Sequence, residues 1–282
     1  MKKRIVSLIL SFCILLSLCG CNTASSNSTF SIQFIDVGQG DAALVECDGE
    51  YMLIDGGDTS AGDKVYDVLK EKNVDHLDML VVSHLHKDHI GGLPKALRYV
   101  HTIDLVLSNS SHSDKAFFAD FSHELSMKGT SITVPDAGNT YPLGSAKVTV
   151  IDVDDAESND SLVLLVTYGK TNFLFTGDIE ETAQTRISDK YQKESDKPFK
   201  IDLIKMPHHG SYTGTLYRFL RTFMPDYAII SVGEHNQYGH PHQETMDILD
   251  SKTWKPKVFR TDEDGDIIIK SNGKELSVET SK

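Results

Sequence analysis

Cysteine is scarce and poorly placed for cross-linking. Four occur in 282 residues, and Cys13, Cys19 and Cys21 all lie near the start of the chain. If the N-terminal segment is removed and Cys21 carries lipid, only Cys47 is left, and no internal disulfide is possible. Cys47 sits in an alternating apolar run and reads as a small buried hydrophobe rather than a nucleophile. Cationic side chains are also in deficit, with 28 Lys and Arg against 41 Asp and Glu, a formal charge of −13. Loss of Lys2, Lys3 and Arg4 would take this to −16. Such a chain lacks the basic face that tight non-specific nucleic-acid binding needs. A phosphodiester substrate is not excluded, because bound divalent cations make a site locally positive. The N-terminal apolar stretch, residues 5–18, falls short of the ~20 residues of a comfortable membrane span. The hydrophobic content of 39% indicates neither disorder nor a fibrous class. After removal of the leader, roughly 255 residues suit one large domain or two small ones.

The N-terminus has the layout of an export signal. Lys2, Lys3 and Arg4 precede the apolar stretch, which ends in Leu18-Cys19-Gly20-Cys21. This ending resembles a bacterial lipobox, in which the last Cys is lipidated and becomes the mature N-terminus. The expected plan is a lipoprotein signal peptide over 1–20, a flexible tether over 21–29 and one domain over 30–282. The tether is Asn, Thr, Ser and Ala. Lipoprotein-type modification of Cys21 supplies more than one acyl chain, as stable anchoring requires. The expected location is the outer face of the cell membrane.

Beyond residue 30, short β-type runs alternate with helical patterns. Residues 31–37, 42–47 and 51–54 read as consecutive strands, with Asp48-Gly49 as a hairpin turn. Residues 79–83 form an apolar strand, and 90–100 read as a helix with Pro94 in its first turn. Further strands are expected at 103–107, 146–153, 162–168, 171–176, 201–206, 227–232, 257–260, 266–270 and 276–279. Helices are expected at 114–128, 180–189, 215–221 and 243–251. Strands at both ends with helices interspersed predict an α/β sandwich of two sheets flanked by helices.

The apolar strand at 79–83 delivers His84, His86, Asp88 and His89 within six residues. His84 and His86 alternate by two and share one side of an extended segment, and Gly91-Gly92 permits a sharp turn. Imidazoles and carboxylates at this density suit zinc or manganese. Later in the chain stand Thr176-Gly177-Asp178, Pro207-His208-His209-Gly210-Ser211 and Tyr238-Gly239-His240-Pro241-His242.

His84-x-His86-x-Asp88-His89 resembles the signature of the metallo-β-lactamase-fold hydrolases. That resemblance implies an αββα sandwich of two mixed β-sheets and two divalent metal ions, zinc or manganese, at one edge. Asp178 then corresponds to the aspartate that bridges both metals. One further His is needed for the second metal. His240 is favoured, leaving His208 and His209 to hold phosphate or protonate the leaving group. The exchange, with His208 or His209 as ligand and His240 outside, stays open. His242 reads as a helix-start residue. Many family members complete the first metal site with another His, yet none lies between His123 and His208 here. The position falls near Asn159 and Asp160, either of which would offer oxygen and so favour manganese more than an all-imidazole site does.

The segments from Phe34 to Ala42, Asn159 onwards, Leu174 to Asp178, Pro207 to Ser211, Gly239 to His242 and Arg260 to Gly265 resemble the hydrolase domain of ComEC competence proteins. The likeness covers nearly all of the chain after residue 30. It implies a free-standing phosphodiesterase or nuclease working through a metal-activated hydroxide, with Asp88 orienting as well as ligating. Asp36 and Asp41 would orient groups near the metals. The membrane spans of ComEC do not carry over, and no protein partner is inferred. The leading substrate class is a phosphodiester, with single-stranded or damaged DNA as one candidate. Teichoic acid, through a phosphocholine-esterase-like activity, and a non-catalytic metal-binding lipoprotein are the alternatives. Asp262, Asp264 and Asp266 fail as a calcium loop, since the sixth position is Ile267 and the twelfth Gly273. A β-turn at Asp264-Gly265 is expected instead.

Overall fold

The computed structural model describes residues 29–153, 161–194 and 199–282. The expectations for the leader, for Cys21 and for Asn159 with Asp160 fall outside them. Strands β1 (Phe30–Phe34), β2 (Ala43–Cys47) and β3 (Glu50–Ile54) form an antiparallel meander whose hairpin turn is Asp48-Gly49. Helix α1 (Gly62–Glu71) crosses to β4 (His76–Val82), which runs parallel to β3. Short helices α2 (Lys87–Ile90) and α3 (Leu93–Ala96) lead to β5 (Thr102–Ser108), and α4 (Ala116–Met127) leads to β6 (Ile132–Thr133).

The second sheet repeats this plan. Strands β7 (Thr140–Leu143), β8 (Ala146–Asp152), β9 (Val163–Tyr168) and β10 (Thr171–Phe175) are antiparallel. Helices α5 (Glu181–Glu194), α6 (Tyr217–Phe223) and α7 (Gln243–Leu249) then alternate with parallel strands β11 (Leu203–Lys205), β12 (Tyr227–Ile230) and β13 (Lys257–Arg260). After α8 (Thr261–Asp264), strands β14 (Ile267–Ser271) and β15 (Leu276–Thr280) return to the first sheet beside β1. The strand orders are β15-β14-β1-β2-β3-β4-β5-β6 and β13-β12-β11-β10-β9-β8-β7.

Residue alternation explains the layers. Phe30, Ile32 and Phe34 of β1 point with Leu164 and Val166 of β9 and Phe173 and Phe175 of β10 into the space between the sheets. The intervening Val163, Leu165 and Leu174 face the opposite side and pack under α5 and α6. Leu44, Leu53 and Leu80 do the same beneath α1, α3 and α4. A period of two on each strand therefore feeds a central core and two outer cores. The result is the mixed αββα sandwich expected from the sequence. Among the described residues, no helix is long and apolar enough to cross a membrane.

Two local expectations differ. The helix expected at 90–100 is interrupted, because Gly91 and Gly92 pack against the loop after β3. A Cβ on Gly92 would lie 2.1 Å from the Gly56 carbonyl oxygen. The turn expected at Asp264-Gly265 is the helical turn α8, which ends at Gly265 with φ 70°. Its carboxylates are already engaged. Asp262 pairs with Arg260, Asp264 accepts the Arg260 N–H, and Asp266 accepts from Gln33 Nε2 and the Asp36 N–H.

Phe34 is 1% exposed and stacks on Phe175 across the sheets at 5.9 Å between ring centroids. Phe34→Ala is expected to lower stability by about 3–5 kcal/mol, as large-to-small changes in a packed core do. Urea denaturation measures it, and a loss under about 1 kcal/mol would show that the inter-sheet layer is not the structural core.

Candidate metal centre

The polar residues of interest lie at the C-terminal ends of parallel strands, where α/β sheets place their ligand sites. After β3 comes Asp55, and after β4 come Ser83, His84 and His86, with Asp88 and His89 in the first turns of α2. After β10 comes Asp178, and after β11 the turn Pro207–Gly210. The loop after β12 carries His240 and His242. Backbone bonds stitch these ends together. The Asp41 N–H donates to the Asp88 carbonyl at 3.1 Å and the Gly56 N–H to that of His89 at 2.7 Å. Across the sheets, the Leu162 N–H donates to Ser83 O at 2.7 Å, and within the second sheet the His208 N–H donates to Gly177 O at 3.1 Å. Gly177 has φ 52°, and a Cβ there would lie 2.5 Å from Ser161 Oγ, the acceptor of the Asp178 N–H. His208 and His209 both adopt left-handed backbone angles, φ 46° and 52°. Such strain in non-glycine residues persists where surrounding structure enforces it, commonly at functional sites.

The donor atoms of Asp88, His89, Asp178 and His209 lie within 4.8 Å of one another. Asp178 Oδ2 is the hub: His89 Nε2 is 3.3 Å away, His209 Nε2 3.6 Å, His84 Nε2 3.8 Å and His208 Nε2 4.0 Å. His209 Nε2 also lies 3.3 Å from Asp88 Oδ2. The His86 ring stands 4.5 Å from that of His84.

The outer nitrogens fix the tautomers. His209 Nδ1 lies 3.0 Å from the Ser231 carbonyl, which only accepts, so Nδ1 carries the proton. His89 Nδ1 donates to Asp55 Oδ2 at 2.9 Å. Asp55 also accepts the Ser83 N–H and hydroxyl at 2.8 and 2.7 Å. The Ser83 hydroxyl, having given its proton to Asp55, accepts from His84 Nδ1 at 3.1 Å. The inner Nε2 atoms of His84, His89 and His209 and Asp178 Oδ1 are buried with no hydrogen-bond partner. Lone pairs aimed at one another and at carboxylate oxygens repel unless a cation or proton lies between them. This donor set fits divalent metal, with each imidazole oriented from behind as metal-binding histidines are.

The electrostatics agree. Burial pushes the Asp178 carboxyl up, but His89 and His209 outweigh it and hold the group well below the usual range. Burial lowers His209, yet Asp178 and Asp41 raise it to about 9. Burial also opposes ionisation of Asp41, but Lys205 and His209 bring it down to about 2. His240 falls to about 4 through burial and the neighbouring imidazoles of His209 and His242.

The sequence-derived set is thus largely brought together: His84, His86, Asp88, His89, Asp178, His208 and His209 share one centre. His240 stands outside the innermost group, its ring 5.6 Å from His208 and 6.3 Å from His209. Its Nδ1 is buried and unpartnered. His209, assigned to substrate from sequence, occupies the inner position expected of His240. Asp41 reaches His209 Nδ1 at 3.3 Å, on the side of that ring away from Asp88 and Asp178. Asp36 does not; its carboxylate meets the Gly38 N–H and Lys282 Nζ. Asp55, Ser83, Ser161 and Lys205 were not singled out from sequence. Lys205 is 3% exposed and ion-paired with Asp41. A charged residue inside the apolar run 201–206 was the available signal, as was Asp55-Gly56-Gly57 at a strand end.

Comparison with known proteins supports this geometry. The metallo-beta-lactamase superfamily model matches residues 35–152. ComE operon protein 3 of Bacillus subtilis is 28% identical over 268 residues, covering 86% of this chain and 33% of that protein. Recombination protein 2 of Haemophilus influenzae is 27% identical over 231 residues, 79% of this chain and 27% of its own length. The chain therefore spans a third or less of these relatives. Among solved structures, the metallo-beta-lactamase fold protein YhfI from Bacillus subtilis shares the fold, with a TM-score of 0.55 and 14% identity over 86% of this chain and all of YhfI. Sheet order and these matches together show that the chain has the metallo-β-lactamase fold and is similar to the matching segment of these competence-related proteins.

Proposed function

We propose that the chain is an exported, lipid-anchored metal-dependent phosphodiesterase that cleaves nucleic acid outside the cytoplasmic membrane. The observation that carries the catalytic reading is the convergence of unpartnered His84, His89 and His209 Nε2 atoms and Asp178 Oδ1 in a buried pocket. The N-terminal lipobox-like sequence supports anchoring at Cys21. Zinc or manganese is the expected metal. Bound divalent cations there supply electrophilic activation and bring the ionisation of water towards neutral pH.

The chain's own groups divide into three sets. His84, His86, Asp88, His89, Asp178 and His209 would hold the metals. Ser83, Asp55, Asp41 and Ser231 orient those imidazoles. His208 and His240 stand at the entrance as the groups for a phosphate oxygen or leaving group. His208 Nδ1 donates to Glu180 Oε1 at 3.1 Å, which directs Nε2 inward. His240, with its pKa near 4, is neutral at pH 7 and acts there by hydrogen bonding rather than by charge.

Formal charge supports a pair of cations. Asp41, Asp55, Asp88 and Asp178 face one ammonium, Lys205, leaving three negative charges when the imidazoles are neutral. One divalent ion leaves a negative site that repels phosphodiester anions, whereas two make it positive. The net charge of −13 favours a second reading, a cell-envelope phosphoesterase acting on a zwitterionic phosphocholine ester. Turnover of bis-p-nitrophenyl phosphate, linear DNA and a phosphocholine ester, each with manganese or zinc, decides between them. Nucleic-acid turnover is expected, and phosphocholine release alone would overturn the first reading.

Asp88→Ala and Asp178→Ala are expected to remove turnover while far-ultraviolet dichroism stays native. Full activity in either variant would refute the role. His209→Ala is expected to reduce the bound metal per chain, measured by atomic emission. His240→Ala is expected to keep that metal and lower kcat; the reverse pattern would return His240 to the ligand set. Chelation is expected to lower Tm. At about a hundred times Kd, metal contributes about 2.7 kcal/mol, worth roughly 5–10 °C in a domain of this size. An unchanged Tm after verified metal removal would contradict a structural contribution.

A further inference from the structure

Large apolar or aromatic side chains exposed among the described residues include Tyr212, 58% exposed, and Tyr238, 55% exposed. Both sit on the loops that carry the outer histidines. Tyr212 directly follows the turn bearing His208 and His209, and Tyr238 lies two residues before His240. The Tyr238 ring stacks on His240 at 5.6 Å with an interplanar angle of 25°. His240 in turn stands 5.6 Å from His208, whose Nε2 is 4.0 Å from Asp178 Oδ2. A file of rings thus runs from solvent to the metal centre.

This arrangement is fixed by polar contacts. His242 Nδ1 accepts the Tyr212 N–H at 3.1 Å, and its Nε2 donates to the Tyr238 carbonyl at 3.2 Å. Both ring nitrogens are thereby occupied by the backbone of the two tyrosines, so His242 joins the loops instead of binding metal. Its ring also packs 5.1 Å from Tyr212. Asn236 holds the other loop. Its Oδ1 accepts the N–H groups of Tyr238 and His240, and its Nδ2 donates to the carbonyls of Gly233 and His240. Tyrosines on well-tied loops lose little freedom when a ligand stacks on them.

We propose that Tyr212 and Tyr238 form a stacking rim for nucleobases next to the phosphate in the metal centre, so that the site takes unpaired, single-stranded nucleotides. The inference rests on the phosphodiesterase reading and deepens it. A π-face accepts any base, but only one whose own face is free, which a base within a duplex does not offer. Stacking is also the affinity source left to a chain with so few cations, since charge neutralisation along a strand needs a basic groove. Among the described ring contacts Tyr212 and Tyr238 do not touch each other; they pack on separate imidazoles, which suits two successive bases better than one enclosed ammonium group.

The test uses the metal-loaded protein with three probes: phosphorothioate tetrathymidylate, its abasic counterpart with the same phosphates, and glycerophosphocholine. Calorimetric binding and the turnover of the corresponding phosphodiesters are both measured. The wild type is expected to bind tetrathymidylate about tenfold or more tightly than the abasic strand. Tyr238→Ala and Tyr212→Ala are each expected to shrink that ratio about fivefold or more, and Tyr238→Trp to keep it. Equal binding of the two strands, or a ratio unmoved in both alanine variants, overturns the proposal. So does an affinity for glycerophosphocholine that alone follows the tyrosines. Base-dependent binding that vanishes with the tyrosines, without turnover of any phosphodiester, would uphold the rim and sink the phosphodiesterase reading. Turnover with no base dependence would do the opposite.

Discussion

Asp178 is 2% exposed, and its carboxylate faces four imidazoles, all of them from strand ends other than its own. Burying a carboxylate is costly unless it is fully compensated. The compensation here comes from both sheets at once: His84 and His89 after β4, and His208 and His209 after β11. The centre therefore forms only if the two sheets are packed in the right relation, and it rewards that packing when cations are bound. The inter-sheet layer of Phe34, Phe173 and Phe175 serves the same end from below. Core and site are two aspects of one constraint, the alignment of the strand ends.

The imidazoles of the centre are oriented by a ring of groups that stand behind them. Asp55 fixes His89 and Ser83, Ser231 and Asp41 fix His209, and the Ser161 hydroxyl receives the Asp178 N–H. Each outer partner determines which imidazole nitrogen carries the proton and hence which faces the centre. Lys205 balances Asp41, so that a carboxylate can stand behind His209 without a lone buried charge.

Much of this was legible in the sequence, for a physical reason. Four potential ligands within six residues behind an apolar strand leave few other uses, so His84, His86, Asp88 and His89 stood out at once. Strand positions followed from alternation: Leu164 and Val166 of β9 meet the central core while Val163 and Leu165 meet an outer one, and in β1 Phe30, Ile32 and Phe34 alternate with polar Ser31 and Gln33. The choice between His209 and His240 was not legible. Both follow a strand of the same sheet, and only the left-handed turn at His208 and His209 swings the second imidazole inward. Asp36 looked like Asp41 in a Gly-rich segment, yet it turns towards the C-terminal Lys282. Asp55 and Lys205 stood in unusual local settings, but their partners His89 and Asp41 lie far along the chain, so their roles were not legible. The helix expected at 90–100 failed because Gly91 and Gly92 answer to the neighbouring loop, not to helix periodicity.

Distant strand ends that share metal would hold it through His89, Asp178 and His209. Anomalous X-ray scattering from crystals grown with manganese or zinc tests this sharing most directly. Strong peaks are expected roughly 2.0–2.3 Å from His89 Nε2, His209 Nε2 and Asp178. Crystals with ample metal in the mother liquor and no anomalous density among these three residues would contradict the sharing.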